Sequence, residues 1–266
     1  MLSSATLRRL RRLLRSFDPS IFTLFSAATL GVCALALAWT WTTSWAPPKP
    51  DVVGTSKLPE QVMTVRGLMD LEREYLPGVV DCEIAYYTSS PAALAAQAIA
   101  ARTYVARFLA RQGDSAVIPM GPHFQCWRPV VYRRSRDAAW ATRGMVLRHQ
   151  GALISGNYAA GAEARDQNCQ AHPPKVHGLN YPSWAAVQRA YEKGKRFPGP
   201  AWTEIFITDN LGRRGPQVKK TGLGGSHVAN RGALGQHAAI CFAERFGEDT
   251  EALLRRFYGA DVVLAR

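Results

Sequence analysis

One glutamate, Glu83, falls on the apolar stripe of a short predicted helix. Leu76, Val79, Val80 and Glu83 recur at the i, i+3, i+4, i+7 spacing that places side chains on one face, normally the buried one. Burial disfavours an ionised carboxyl and raises its pKa, which suits a group that must donate a proton near neutral pH. Glu83 is therefore a candidate general acid. An edge residue, or an ion-pair partner of a nearby arginine, is the alternative interpretation of the same pattern.

Cysteines and histidines form a second candidate site. Its members are two pairs, each with two intervening residues: His123 and Cys126, then Cys169 and His172. Together they make a four-ligand set that tetrahedral zinc accepts, with His177 as a further candidate. A disulfide between Cys126 and Cys169 is the simpler alternative outside the cytoplasm, where thiols pair. Cys82 and Cys241 fall on predicted helices and are expected to be buried thiols.

The elements that position these residues begin after a non-globular N-terminus. Five arginines and no acid occur in residues 1–15, and residues 21–45 are uncharged and mostly apolar, with three tryptophans near their end. That length crosses a bilayer, and the arginines place the N-terminus in the cytoplasm. We predict a basic cytoplasmic tail over 1–20, a transmembrane signal anchor over 21–45 and a linker over 46–60. A cleaved secretory signal, ending near residues 36–38, is the alternative.

The charge balance restricts the classes of partner that the protein is expected to bind. The chain has 33 lysines and arginines against 20 acids, a formal net charge of +13. A basic surface favours anionic partners, although a solvated surface with no partner fits the charge equally well. An outward-facing domain, with no recognition-helix or RNA-binding motif, makes nucleic acid an unsuitable partner. Peptidoglycan carboxylates and lipid headgroups remain as candidate anionic partners.

Periodicity predicts an α+β fold with a helical N-terminal portion packed with a strand-rich portion. The helical portion comprises an amphipathic helix over 61–76, the short Glu83 helix and an alanine-rich helix from Pro91 to about Arg111, capped by Ser90. Later elements are two helices, 136–142 and 184–191, and five short strands at 117–119, 130–132, 145–149, 152–158 and 204–208.

The residues around Glu83 also follow a longer pattern. Residues 74–83 read EYLPGVVDCE, residues 92–104 read AALAAQAIAARTY, and residues 141–147 read ATRGMVL before a strand that reaches Tyr158. These segments resemble the stage II sporulation protein D family, which includes modifier proteins of the major autolysin. The resemblance implies a sporulation protein D-like extracytoplasmic domain over 61–266, with a cleft between its two portions.

The resemblance implies a function for Glu83. It corresponds to the catalytic acid of a peptidoglycan lytic transglycosylase, which cuts glycan strands and leaves a 1,6-anhydromuramic product. One acid suffices because the muramic 6-hydroxyl, not water, attacks the anomeric carbon. No cofactor is required, although some relatives suggest a structural zinc. The predicted substrate-binding residues are Gln97, Arg102, Gln125, Tyr158 and Arg231.

Two later segments depart from the family pattern. After Tyr158 the family has a loop rich in serine and glycine, whereas this chain has Ala-Ala-Gly-Ala-Glu over 159–163. Residues 227–233 resemble the end of the G-H-G-V-G-M-S-Q-R-G-A motif, with Asn230 at the glutamine position. A second register aligns Gln236 with that glutamine. We prefer the first register because Arg231, Gly232 and Ala233 are intact.

Two other function classes stay open. One is a non-catalytic peptidoglycan-binding activator of an amidase or autolysin, and the other is a membrane-tethered scaffold of an envelope complex. The expected partners are glycan strands, the membrane through the N-terminal helix, and an amidase or envelope-complex protein. The expected location is the inner (cytoplasmic) membrane, crossed once, with the N-terminus cytoplasmic and the domain periplasmic.

Overall fold

The computed structural model describes residues 58–121, 123–173, 175–176, 179–195 and 200–266. Within these ranges the fold is α+β, as predicted, with six α-helices and strands of two to four residues. No helix in the described part of the chain is long and apolar enough to cross a membrane. The predicted tail and anchor, most of the linker, and His177 lie outside the described residues. The cleft stays a prediction.

The described chain opens with a hairpin, not with the predicted helix over 61–76. Strand β1 (Gln61–Thr64) pairs antiparallel with β2 (Gly67–Asp70), and Gly67 takes a positive φ of 108° at the turn. Val62 and Thr64 alternate with exposed neighbours, a two-residue period that suits a half-buried strand. Helical structure begins only at the π-helical turn Leu71–Tyr75, where the Asp70 side chain accepts from the backbone N–H groups of Glu72 and Arg73.

Two helices then form the centre of the fold, as the sequence predicts. Helix α1 (Leu76–Glu83) carries Glu83 at its last position. Helix α2 (Pro91–Gln112) begins at the Ser90 cap, whose hydroxyl accepts from the Ala93 N–H, and ends at Gly113 with a φ of 99°. Alanines line much of α2 and let neighbours approach closely. Helix α2 packs against α1, α3 (Arg133–Ala141), and the C-terminal helices α5 (Gln236–Phe246) and α6 (Thr250–Tyr258).

The strands after α3 are short and belong to three small sheets. Strand β3 (Val146–His149) lies between β4 (Ala152–Leu153) and β9 (Val263–Ala265). Strand β5 (Tyr158–Ala159) pairs in parallel with β8 (Leu234–Gly235). Strands β6 (Lys175–Val176) and β7 (Leu179–Asn180) form a hairpin before helix α4 (Trp184–Glu192). The β5–β8 pair matters most, because it joins two distant segments close to Glu83.

Several predicted elements differ from the structure. Residues 204–208 fall largely within the 3-10 turn Pro200–Phe206, where Trp202 and Phe206 make an edge-to-face ring contact at 5.4 Å. Residues 130–132 form no strand, and of 117–119 only Ile118 makes a bridge, to Thr64. Two further 3-10 turns span Gly215–Gln217 and Gly222–Gly224. These runs are too short for period alone to separate strand from turn.

The cysteine predictions are wrong. Cys82 pairs with Cys126, and Cys169 pairs with Cys241, so neither Cys82 nor Cys241 is a free buried thiol. The predicted Cys126–Cys169 bridge does not form because both cysteines are paired elsewhere. Cys126 bonds to Cys82 on α1, and Cys169 bonds to Cys241 on α5. The first bridge ties the loop before α3 to the helix that ends at Glu83.

Candidate functional site

Glu83 lies at the convergence of three segments that are far apart in sequence. Its Oε1 accepts from the Cys126 backbone N–H at 2.8 Å and from the Tyr158 hydroxyl at 3.4 Å. Its Oε2 accepts from Nε2 of Gln236 at 3.0 Å. All three donors are neutral, and no cation is hydrogen-bonded to this carboxylate within the described residues.

This environment changes the proton affinity of Glu83. Burial raises the pKa of the carboxyl, and the hydrogen bonds from Gln236, Cys126 and Tyr158 lower it by less than burial raises it. The net effect is a pKa above the ordinary value. By surface area the residue is only partly buried. Glu83 therefore combines partial exposure with a tendency to hold its proton.

Each donor is positioned by identifiable local structure. The Cys82–Cys126 bridge, with its Cα atoms 5.6 Å apart, joins the residue before Glu83 to the residue that donates its N–H. The parallel pairing places Tyr158 opposite Leu234 and Ala159 opposite Gly235. The chain then enters α5 at Gln236, so β5 and β8 bring a hydroxyl and an amide to the same carboxylate.

Gln236 is a site residue that the preferred motif register missed. It belongs to the second register, which aligns it with the glutamine of the family motif. Asn230, favoured by the first register, is buried, and its amide bonds the backbone of Thr221 and Gly225. The structure therefore favours the second register. The signal for Gln236 in the sequence was the second register itself.

Gln97 and Gln125 form the inner layer of the site. Gln97 is fully buried, and its Oε1 accepts from Nε2 of Gln236 at 3.3 Å. Its own Nε2 is buried with no hydrogen-bond partner in the described structure. Gln125 accepts from the Tyr75 hydroxyl at 2.7 Å and donates to the Ala101 carbonyl at 3.1 Å. Gln97 therefore contacts Gln236, a donor to Glu83, and Gln125 is fixed directly before Cys126, another donor.

The tyrosines near Glu83 are neutral hydrogen-bonding groups. Burial, followed by the negative charge of Glu83, raises the pKa of both Tyr75 and Tyr158 well above the usual range. Each hydroxyl therefore keeps its proton at all relevant pH values. Tyr158 is placed to orient the Glu83 carboxylate, while Tyr75 was not predicted from sequence because its role depends on contacts fifty residues away.

The two predicted arginines lie away from this group. Arg102 is fully buried and binds Glu72 through Nε and Nη2, at 2.8 and 2.7 Å. It also donates to the Ala139 and Met145 carbonyls, so it connects α2 to the π-helical turn and to α3. Arg231 is buried, pairs with Asp261 and donates to the Tyr258 carbonyl. Neither guanidinium has a hydrogen-bond partner in the group around Glu83.

The predicted zinc set is not assembled. Cys126 and Cys169 belong to different disulfides, so neither offers a thiolate. A disulfide sulfur is not the anionic ligand that zinc requires. No group of three or more metal-ligating side chains occurs within the described ranges. His123 and His172 therefore lose their predicted co-ligands.

A second carboxylate does not join the site. Asp81, two residues earlier on α1, is fully buried and accepts from Arg128, Val131, Tyr132 and Ser135. Glu72 forms an ion pair with Arg102. Within the described residues, no other carboxylate hydrogen-bonds with Glu83 or its donors. The arrangement can transfer one proton to and from a ligand, but it lacks the carboxylate pair of ordinary glycosidases.

Fold and site together define an α+β protein with a partly buried glutamate, Glu83, that accepts hydrogen bonds from three neutral donors. Residues 60–149 match the family model of the stage II sporulation protein, SpoIID. The matched segment, about a third of the chain, is similar to that family and runs from the first hairpin through β3. No curated protein matches the chain. The match contains Glu83, Gln97, Arg102 and Gln125, whereas Tyr158 and Gln236 lie beyond it.

Proposed function

We propose that this protein is a peptidoglycan lytic transglycosylase with Glu83 as its acid and base. The match of residues 60–149 to the SpoIID family model fits cell-wall remodelling in general. The observation that carries the finer proposal is the Glu83 carboxyl itself: the residue is partly exposed, its hydrogen-bond donors are all neutral, and burial raises its pKa.

The proposed reaction uses one carboxyl twice. Protonated Glu83 donates to the glycosidic oxygen as the bond to the anomeric carbon breaks. The resulting carboxylate then accepts the proton of the muramic 6-hydroxyl as that oxygen bonds to the anomeric carbon. The products are a free sugar hydroxyl and a 1,6-anhydromuramic end, and Glu83 recovers its proton. The absence of a carboxylate partner among the described residues supports this scheme, because the substrate supplies the nucleophile.

Tyr158 and Gln236 hold the carboxylate through both steps. Their hydrogen bonds stabilise the ionised form that follows proton donation, and they orient each oxygen. Burial acts in the opposite direction and favours the proton-bearing form. The balance keeps both forms accessible, as a group that alternates between acid and base requires.

The two disulfides support the proposed location. Cys82–Cys126 and Cys169–Cys241 use every cysteine of the described chain. Such bridges form and persist in oxidising compartments and are rare in the cytosol. We therefore place the domain outside the cytoplasmic membrane, with the basic and apolar N-terminus as its anchor and glycan strands as its partner.

The direct test is a digest of purified glycan strands, with and without stem peptides, read by mass spectrometry for 1,6-anhydromuramic ends. We expect these ends from the wild-type protein and not from Glu83→Gln. Glu74→Gln is the matched control, since Glu74 is an exposed glutamate nine positions earlier. Absence of anhydro ends from every wild-type digest, or their persistence in Glu83→Gln, would refute the assignment.

A non-catalytic activator of an amidase is the second candidate. It is favoured by residues 159–162, Ala-Ala-Gly-Ala, which supply no hydroxyl for sugar contacts directly after Tyr158. The same preparations distinguish the two functions. An activator would increase the rate of stem-peptide removal by an added amidase, would do so equally well as Glu83→Gln, and would leave no anhydro ends.

A further inference from the structure

A cavity lies near Glu83, and the rings of Tyr104 and Tyr158 connect the two. It has a volume of about 450 Å³ and is formed by the C-terminal half of α2, Phe124, the segment before β5 and the loop that holds His227. We call it the aromatic–arginine pocket. The ring of Tyr104, in its wall, lies 6.4 Å from the ring of Tyr158, whose hydroxyl contacts Glu83.

One face of α2 supplies most of the pocket's chemistry. Tyr104, Arg107, Phe108 and Arg111 recur at the i, i+3, i+4, i+7 spacing, so aromatic rings and guanidinium groups share one stripe. Phe124 packs edge-to-face on Tyr104 at 4.9 Å and on Phe108 at 5.1 Å. The three rings therefore form a rigid apolar wall, which suits the flat, apolar face of a ring-shaped ligand.

The charged side chains that line this pocket in the described structure are all basic. Arg107, Arg111 and His227 line it, and its described lining contains no acidic side chain. Arg107 is held in place by the Leu153 carbonyl at 3.0 Å and by the His227 ring at 3.2 Å, while Arg111 is exposed one turn further along α2. Another cavity, of about 630 Å³, differs because Glu60, Glu72 and Asp114 accompany its arginines. The aromatic–arginine pocket is thus suited to an anion.

We propose that the aromatic–arginine pocket is a subsite for a carboxylate-bearing group of the glycan strand. The rings would cover the apolar body of that group, and Arg111 with Arg107 would bind its carboxylate through charge-assisted hydrogen bonds. This inference rests on the proposed function insofar as the ligand is peptidoglycan. Such a carboxylate has two sources there: the muramic acid of a strand without peptides, or the stem peptide of an intact strand.

The test measures binding, so it does not depend on cleavage. Full-length protein with Glu83→Gln is titrated with denuded strands, with the same strands converted to neutral methylamides, and with peptide-bearing strands. Arg111→Ala in this background is expected to weaken binding of carboxylate-bearing strands about tenfold, since a charge-assisted hydrogen bond is lost. Binding of the methylamide strands should not change. Arg136→Ala, which removes the same charge from an exposed position on α3, is the control and should change binding less than twofold.

The outcomes separate the inference from the proposed function. An Arg111 effect on denuded strands assigns the muramic carboxylate, and an effect confined to peptide-bearing strands assigns the peptide carboxylate. Equal losses for charged and neutral strands, or equal losses for Arg111→Ala and Arg136→Ala, would overturn the subsite. Absence of anhydro ends with an intact Arg111 effect would overturn only the transglycosylase. Thermal melts of each variant establish that the fold is retained.

Discussion

Asp81 and Glu83 lie two residues apart on α1, yet the chain treats their carboxyl groups in opposite ways. Burial by itself would raise the pKa of Asp81, but its hydrogen bonds outweigh burial and bring that pKa below the ordinary value. Its donors are the Tyr132 N–H, the Arg128 guanidinium, the Ser135 hydroxyl and the Val131 N–H. Asp81 is therefore a structural group, ionised at neutral pH, that joins α1 to the start of α3.

Glu83 has one donor fewer and no cation. Burial consequently prevails, and the pKa of Glu83 lies above the ordinary value. Burial alone therefore does not identify a catalytic carboxyl. The number and charge of its donors decide whether a buried acid stabilises the fold or exchanges a proton.

The largest expected effect comes from Glu83→Gln. If Glu83 transfers the proton, cleavage of glycan strands falls by about 10²- to 10⁴-fold. Stability should not fall. Because the folded pKa of Glu83 is raised, the folded state holds the proton more firmly, and its ionisation destabilises the fold as pH rises from the unfolded pKa through the folded one. Glutamine removes that cost, so urea unfolding at pH 7 should show equal or greater stability. A marked loss of stability would make Glu83 structural, like Asp81.

Asp81→Asn should show the converse behaviour. We expect a loss of about 2–4 kcal/mol in the free energy of unfolding, because backbone and hydroxyl donors lose a carboxylate acceptor in a buried site. The Arg128 side chain is 37% exposed, so water screens its share of the interaction. Urea denaturation measures the loss. Asp137→Asn, which breaks an exposed i, i+4 pair with Arg133, should change stability by less than about 0.5 kcal/mol.

Gln236→Leu tests the donors of Glu83 and should have an intermediate effect. The variant removes one N–H group that stabilises the carboxylate, so the pKa of Glu83 rises further and kcat/KM falls about tenfold. The alkaline limb of the pH profile should move to higher pH, a change that a purely structural role would not cause. Gln188→Leu, which removes an exposed glutamine that donates to Glu192, is the control and should leave the profile unchanged.

The pH dependence of the unmodified protein gives the smallest but most direct contrast. Cleavage should decline as pH rises through the raised pKa of Glu83, without unfolding, because the acid loses its proton. The free energy of unfolding should instead fall at acidic pH. The folded pKa of Asp81 is lowered, so its contribution is complete above its ordinary value of 3.8 and is lost as pH falls through the folded value. Parallel activity and circular dichroism titrations separate the two limbs; coincident losses of activity and fold would contradict this division.

Sequence reasoning succeeded where the determining contacts are local. The cap at Ser90, the length of α2 and the apolar stripe leading to Glu83 all depend on residues within one or two helical turns. It failed over 61–76 because the buried residues Val62, Thr64 and Met69 lie on two short strands joined by a turn before Gly67, whereas Val65 and Leu68 are exposed. The missed Gln236 and the exchanged cysteine partners have another cause, since their contacts span much of the chain.

Short-range spacing in the sequence is enough to predict an α+β domain, a buried helix rich in alanine and an acid on an apolar stripe. The surroundings of that acid depend on the tertiary fold. The three donors to Glu83 lie 43, 75 and 153 residues away, and the two disulfides join cysteines 44 and 72 residues apart. Contacts at those separations are selected by how helices and strands pack together, so no local pattern in this chain records that Tyr158 and Gln236 meet at one carboxylate.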